Sequence, residues 1–445
     1  MSYVLLVDFG ASRVKCVIWS SVQQKVIDEM VVASPVPISG ILGEVEVTPE
    51  DYWRALEVTA GILVVKYPSV DTMWLCTEMH GLIVSDSAGF LLTPYISWRD
   101  SRTVVKNELG ISTYDILSLQ GDEFFEKSGM KLRAGLPIVS LAHIASQIKL
   151  PSIFRVFTLA DWLIWRGGEP NPSIHPSLAA GTGLYDIHTK EWSNALLDMA
   201  GVRDNRVILP SLAPAGAPIG KINLTGKTIN VYGGIGDLQS AVYGAGFPNK
   251  VNLVINLGTG SQIVRRWHNI PEGIERRLSV DDLDFAAITH IPSGRALNVF
   301  ADFLNGCSIL GNGDPFFWQK FDELTVEQVL NSNLEIDMNV FTAAWQYQHG
   351  GCIKYIHDNN FTPNELLASI AKGWLSQYVR GMKQLDPLSE DLEFYVCGGL
   401  SRRAKFAINV LSSLSGKSAE LVGTLTGEET LDGLLALAKG CAHAS

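Results

Sequence analysis

The chain has little of what would tie it to a membrane, a nucleic acid or a disulfide scaffold. No apolar run reaches the roughly 18 residues of a membrane-spanning helix, so no span and no membrane partner are expected. No basic stretch is long enough to follow a phosphate backbone, and the 445 residues carry a net charge of −11, which argues against nucleic acid. The six cysteines (Cys16, Cys76, Cys307, Cys352, Cys397 and Cys441) contain no CxxC pair. Several lie inside apolar runs, so buried thiols in a reducing compartment are expected ahead of disulfides or zinc. The opening MSYVLLVDFG has neither a basic leader nor a small-residue cleavage site, and a cytoplasmic protein is expected. Charged residues make up 18% against 47% hydrophobic, which excludes a disordered chain and allows two or three well-cored domains. One more absence bears on chemistry. The glycine-rich stretch VYGGIGDLQSAVYGAG (231–246) is followed by no lysine, so it is not a phosphate loop of the Gly-Lys-Ser/Thr kind. It carries one carboxylate, Asp237.

What is present is a pattern of strands broken by glycines. YVLLVDFGASRVKCVIWSS reads as strand, tight turn, strand, and VIDEMVVASP supplies a third strand. TPEDYWRALEVTAGILVVKY has helical period behind a candidate Thr48 N-cap. TMWLCTEMHGLIVSD returns to strand character, and helices are expected through LPIVSLAHIASQI and TLADWLIWRGG. Near residue 250 the opening recurs. Val7-Asp8-Phe9-Gly10-Ala11 aligns with Ile255-Asn256-Leu257-Gly258-Thr259, and a third glycine loop, FYVCGGLSRR, lies at 394–403. The repeat predicts a duplicated α/β fold with a cleft between the copies. The boundary is expected around Gly244–Asn249, giving domains 1–245 and 246–445.

A hairpin with glycine at its bend can aim backbone N–H groups at one point and make a nest for phosphate oxygens. One nest per half would grip a polyphosphate from two sides. Asp8 cannot bind phosphate directly, because like charges repel, but it could hold Mg²⁺ through water. Lys15 would add positive charge. Taken alone, Gly10 and Gly258 would merely turn hairpins. Asp237 sits at a good helix start, so it is a candidate N-cap. The electropositive helix end would also keep its carboxylate ionised and fit to act as a general base toward a substrate hydroxyl.

At these residues the chain resembles the FGGY carbohydrate kinases of the actin/hexokinase-like ATPase superfamily, nearly end to end and in order. VDFGASRVKCVI resembles the family's opening phosphate motif, with Lys15 seven positions past Asp8. EMHGLIVSDSAGFLLTPYISWRDSR resembles the sugar-binding stretch of the xylulokinase-like branch. GGIGDLQSAVYGAG resembles the segment that bears the catalytic base, NLGTGS the second phosphate loop and VCGGLSRR the adenosine loop. EETLDGLLALA matches a Glu-x-x-x-Gly helix from Glu429 to Gly433. The resemblance implies two ribonuclease-H-like α/β domains with an interdomain cleft whose closure excludes water. It implies an ATP- and Mg²⁺-dependent phosphotransfer to a sugar. Asp237 would be the general base, and Asp8 would place the metal and phosphates, with Asp8 and Asp237 as the metal-side carboxylates. Met79, His80, Trp98, Asp100 and Asp237 would meet the sugar. Gly10, Ser12, Lys15, Gly258, Thr259, Gly260, Gly398 and Gly399 would meet the nucleotide.

The Met79-His80-Gly81 stretch points to a ketose such as a xylulose-like pentulose or a heptulose, and away from glycerol, whose branch carries Arg-Glu there. A gluconate-type acid stays open. Three positions depart from the family pattern: Ala11 for the usual Thr, Glu78 for Gln, and Arg403 for Asn. Ala11 and Arg403 motivate a rival reading, a catalytically weak sugar or nucleotide sensor of the same fold. Oligomeric state is not legible, and a homodimer is kept open.

Overall fold

The structure is a computed structural model that describes residues 3–40, 43–202, 206–246, 253–258, 260–266, 270–281, 284–311, 313–341, 344–385 and 393–444, with only the backbone at Ser39 and 441–444. The chain forms two compact units. One comprises Met1–Gly244, Arg277–Leu283 and Thr424–Ser445, the other Ala245–Arg276 and Asp284–Gly423.

The first unit is built on β1 (Tyr3–Phe9), β2 (Arg13–Ser20), β3 (Lys25–Ala33), β4 (Thr72–Thr77), β5 (Pro218–Leu224) and β6 (Lys227–Gly236), in the order β5-β6-β4-β1-β2-β3. β1, β2 and β3 form an antiparallel meander, β4 runs parallel to β1, and β6 runs parallel to β4. Every residue of β4 is buried, as a strand covered on both faces requires, whereas β3 alternates at the sheet edge. The helices Asp237–Gly244 and Glu429–Ala444 pack on one face, where Leu431 and Leu434 join Leu6, Val17 and Trp74 in the core. Those helices cross at backbone contact. A Cβ on Gly433 would lie 1.9 Å from the Ser240 carbonyl oxygen, and one on Gly244 would lie 2.1 Å from that of Glu429. A second core gathers Phe124, Ile138, Leu141, Phe154 and Leu197.

The helix expected behind Thr48 is not one piece. It runs Pro49–Leu56, passes through a π-helical turn at Glu57–Gly61 and resumes over Ile62–Lys66. Thr48 makes no side-chain cap bond. Inside the turn the Thr59 hydroxyl donates to the Ala55 carbonyl at 2.6 Å, a side-chain bond of the kind that perturbs a helical ladder.

The second sheet consists of β7 (Leu253–Asn256), β8 (Ser261–Arg266), β9 (Glu275–Leu278, whose last two residues are counted with the first unit), β10 (Asp284–Ile291), β11 (Phe394–Cys397) and β12 (Ala419–Leu421), in the order β9-β10-β8-β7-β11-β12. β7, β8 and β10 are antiparallel, while β11 and β12 add in parallel. The order β10-β8-β7-β11-β12 therefore repeats β3-β2-β1-β4-β6 in position and sense, as the duplicated motif predicts. The helix Pro363–Leu385 anchors its core through Trp374, Leu375 and Tyr378.

Cys16, Cys76 and Cys397 are buried thiols as expected, but Cys307 and Cys352 stand exposed, so the expectation holds for three of the five described cysteines. Both exposed residues lie in surface positions, Cys307 on an outer turn of the helix Gly294–Leu310 and Cys352 on a short two-stranded ribbon. Among the described residues no helix is long and apolar enough to cross a membrane.

Candidate active site

β1, β4 and β6 are parallel, so their C-terminal ends lie along one edge of the sheet. Asp8 pairs with Cys76, Phe9 with Thr77, and Thr77 in turn with Gly236. Glu78 and Asp237 are the next residues on their strands. Neighbouring strands lie about 4.8 Å apart, so Asp8 and Asp237 leave the sheet about two strand spacings from one another. The glycines before Asp237 make this delivery possible. β6 carries a bulge between Gly233 and Ile235, with Gly233 at φ +90° and Gly234 at φ +61°. A Cβ on Gly233 would sit 2.6 Å from the Leu75 carbonyl oxygen, and one on Gly236 would sit 2.4 Å from the Met79 sulfur. The bulge bends the strand and feeds it directly into the helix Asp237–Gly244.

The electrostatics overturn one expectation. Asp237 is the first residue of its helix, and its Oδ1 accepts the Leu238 N–H at 2.8 Å. That bond, with the helix end, was expected to keep the carboxylate readily ionised. Instead its pKa is pushed up to about 7, first by loss of solvent and then by the charge of Asp8, with Glu78 adding to the rise. Asp8 is raised to about 6 for the same first reason, against the lowering effect of hydrogen bonds from Thr430 (2.6 Å) and the Cys76 thiol (3.4 Å). Both aspartates keep partial solvent access, as a group that must meet a ligand requires.

Among the described residues no three His, Cys, Asp or Glu side chains gather into a metal cage. The donor set fits Mg²⁺ in another way, because that ion commonly takes one or two carboxylates and completes its shell with water and phosphate oxygens. The Asp8 charge raises the pKa of Asp237, and a cation beside the two carboxylates would relieve that repulsion.

Of the residues expected to meet a sugar, Met79 is buried and packs toward Gly181 and Gly236. His80 is held at φ +63°, and its Nδ1 lies 2.5 Å from the Gly181 carbonyl oxygen, which assigns the proton to Nδ1. Gly81 faces the Tyr95 ring so closely that a Cβ would lie 2.0 Å from its hydroxyl. Trp98 is half-buried, and its indole N–H donates to Glu78 Oε2 at 3.1 Å. Asp100 is buried. Its oxygens accept the Val45 N–H at 2.8 Å and the Arg102 guanidinium at 2.8 and 3.0 Å, so it ties two loops together.

Of the residues expected to meet a nucleotide, Gly10 turns the β1–β2 hairpin, with its N–H on the Arg13 carbonyl, and Ser12 is exposed. Lys15 sits directly across the hairpin from Asp8 and pairs with Glu29 (3.6 Å) and Glu428 (3.7 Å). In the second unit the Gly258 N–H donates to the Ser261 hydroxyl at 3.2 Å, and a Cβ on Gly258 would meet the Gly260 carbonyl at 3.2 Å. Thr259 lies outside the described residues. Gly398 has φ +93°, and nothing lies within 4 Å of where a Cβ on Gly399 would be. Arg403 stacks over the Trp318 ring at 4.2 Å and pairs with Asp322 at 2.9 Å.

Motif reading missed Thr430, the donor on Asp8, and Tyr52 and Tyr95, which wall Glu78. Thr430 lies inside the Glu429–Gly433 pattern, whose glycine was legible. The tyrosines carry no local signal, because only the fold brings them to β4.

Residues 3–244 match the FGGY family of carbohydrate kinases, N-terminal domain. The chain belongs to that family. A glycerol kinase 2 from Clostridium tetani is 24% identical over 62% of this chain and 57% of its own length. A xylulose kinase from Staphylococcus xylosus is 24% identical over 58% of this chain and 54% of its own. The chain thus spans little more than half the length of these curated relatives. A ligand-bound xylulose kinase from Lactobacillus acidophilus superposes with a TM-score of 0.80 at 16% identity, covering 100% of this chain and 90% of that one. Plasmodium falciparum glycerol kinase with ADP gives 0.78 at 14%, with the same coverage. These likenesses establish the two-domain actin-like ATPase fold.

Proposed function

We propose that this FGGY family member is an ATP-dependent carbohydrate kinase acting on a hydroxyl of a ketose, a xylulose-like pentulose or a heptulose. The observation that carries the reading is the meeting of Asp8, Glu78 and Asp237 at the ends of three parallel strands. Asp237, with a pKa near neutrality, is suited to take a hydroxyl proton and later release it. In the transfer, Asp237 accepts that proton as the sugar oxygen attacks the γ-phosphorus. The new O–P bond forms, the bond to the bridging oxygen breaks, and ADP leaves with its electron pair.

Asp8, with Asp237 beside it, would hold Mg²⁺, which when bound neutralises phosphate charge. Lys15 supplies a fixed positive charge across the hairpin. Met79, His80 and Trp98 are the proposed sugar contacts, with Trp98 offering an apolar plate to the ring carbons. Asp100 would act by fixing the loop that carries Trp98. The glycines at 258, 260, 398 and 399 are the proposed nucleotide contacts of the second unit. Family membership and the ADP-bound structural relative support the choice of nucleotide.

A coupled ADP-release assay over ketoses, polyols and sugar acids tests this. Turnover with a ketose that disappears in Asp237→Ala, with nucleotide binding retained, supports the kinase. Binding of sugar or nucleotide with no turnover on any sugar supports the sensor instead.

A further inference from the structure

Glu78 is the member of the carboxylate group that phosphotransfer leaves without a task. Its backbone is pinned at the centre of the sheet. It follows Thr77 directly, and its N–H donates to the Phe9 carbonyl at 2.7 Å. The residue is 4% exposed. The Tyr52 hydroxyl donates to Oε1 at 3.0 Å, and the Trp98 indole donates to Oε2 at 3.1 Å. Phe9, Tyr52 and Tyr95 complete an aromatic wall, with ring centroids 6.1 and 5.2 Å apart in sequence. No described ion pair includes Glu78. Arg99 acts on it only at longer range, and Asp237 stands one strand away with the same sign of charge.

Burial pushes the Glu78 carboxyl above its ordinary pKa, and hydrogen bonding by Tyr95, Tyr52 and Trp98 favours the ionised form against that rise, but donors alone do not demand a charge. A glutamine would fit the same place, its carbonyl accepting from Trp98 and its amide donating to the Tyr52 hydroxyl. Keeping a carboxylate there means desolvating a charge without a close cation, a cost in stability that a glutamine would avoid. Its setting gives it a use. The kinase reading puts the sugar beside Asp8 and Asp237 at the same sheet edge, where an acidic ligand would bring a fourth negative group next to three carboxylates.

We propose that Glu78 is a charge filter in the sugar pocket, a fixed carboxylate that admits neutral polyhydroxy substrates and rejects sugar acids. The proposal rests on the kinase reading for the identity of the pocket, and it refines the substrate class to neutral ketoses. The filter acts on binding and can be read without turnover.

The test measures equilibrium binding to the full chain by calorimetry at pH 8 without ATP. The probes are a pentulose, the five-carbon aldonate and that aldonate's neutral amide. Wild type is expected to bind the amide about tenfold or more tighter than the aldonate, since one unit of charge is then the difference. Glu78→Gln is expected to close most of that gap by tightening the aldonate relative to its amide. Tyr52→Phe removes a hydroxyl and keeps the charge, so its gap should match wild type.

Equal wild-type affinity for aldonate and amide overturns the filter whether or not the variants fold. So does a gap that persists in folded Glu78→Gln. If wild type phosphorylates the pentulose while either of those results holds, the filter fails and the kinase reading stands. If wild type binds none of the probes, both fail.

Discussion

The two units share a strand order and differ in what the strand ends carry. In the first, Asp8 lies in the last two residues of β1, and Glu78 and Asp237 directly follow β4 and β6. In the second, the corresponding β7, β11 and β12 end at Asn256, Gly398 and Leu421–Val422, with no carboxylate among them. Across the β1–β2 hairpin Asp8 faces Lys15, whereas across β7–β8 Asn256 faces Gln262 and donates to it at 3.3 Å. The architecture supplies equivalent positions, and side chains alone decide that one set concentrates titratable groups while the other offers neutral amide and bare backbone. A group that moves protons needs a tunable pKa. A group that lies against phosphate or base needs close approach, which glycine permits.

The largest expected effect tests the charged set. Asp237→Ala should lower kcat about 10³-fold, as loss of a general base does, with ATP binding unchanged by fluorescence titration. Retention of more than a tenth of the wild-type rate would break the assignment. Asp8→Asn should lower kcat about 10²-fold, within the range for a lost electrostatic stabiliser. It should also move the acid limb of the kcat/KM profile. Asp237 must be ionised to act, so wild-type activity should rise with pH through about 7. Removing the neighbouring charge should shift that limb to lower pH, and an unmoved limb would contradict the coupling.

Asn256→Asp makes the second unit resemble the first. It should raise the KM for ATP about tenfold with the sugar KM unchanged, because it adds a negative charge next to a loop proposed to meet phosphate. Gly433→Ala should destabilise by about 1–3 kcal/mol in denaturant titration, since the added methyl has no room against Ser240. The smallest effect is a pH signature. Asp237 titrates at about 7 in the fold against an ordinary 3.8, so its contribution to stability is greatest at low pH and declines as pH rises through about 7. Asp237→Asn should therefore raise the thermal midpoint most at pH 8, less at pH 5, and hardly at all below the ordinary carboxylate pKa of 3.8.

Much of the first unit's site was legible because its residues lie at glycine turns. Asp8 precedes Gly10, Asp237 follows Gly236, and His80 precedes Gly81, so local turn chemistry marks each of them. The protonation of Asp237 was not legible. A helix start taken alone favours the ionised form, and the opposing terms come from Asp8 and Glu78, which are 229 and 159 positions away in the chain. The break in the helix after Leu56 was also hidden, because the π-helical turn there carries the Thr59 side-chain bond and packs Gly61 against Leu224 and Thr225, far away in the chain. The role of Thr430 depends on a hydrogen bond spanning 422 residues.

By itself the sequence determined the alternation of strands and glycine turns, the repeat of the opening motif, and the family to which the chain belongs. These follow from spacing and residue type, which act locally along the backbone. Only tertiary structure decided that three carboxylates share one sheet edge, that Glu78 is clasped by an aromatic wall, and that Asp237 titrates near neutrality. Those properties arise from burial and from charge acting through space, and neither is encoded by any residue's immediate neighbours in the chain.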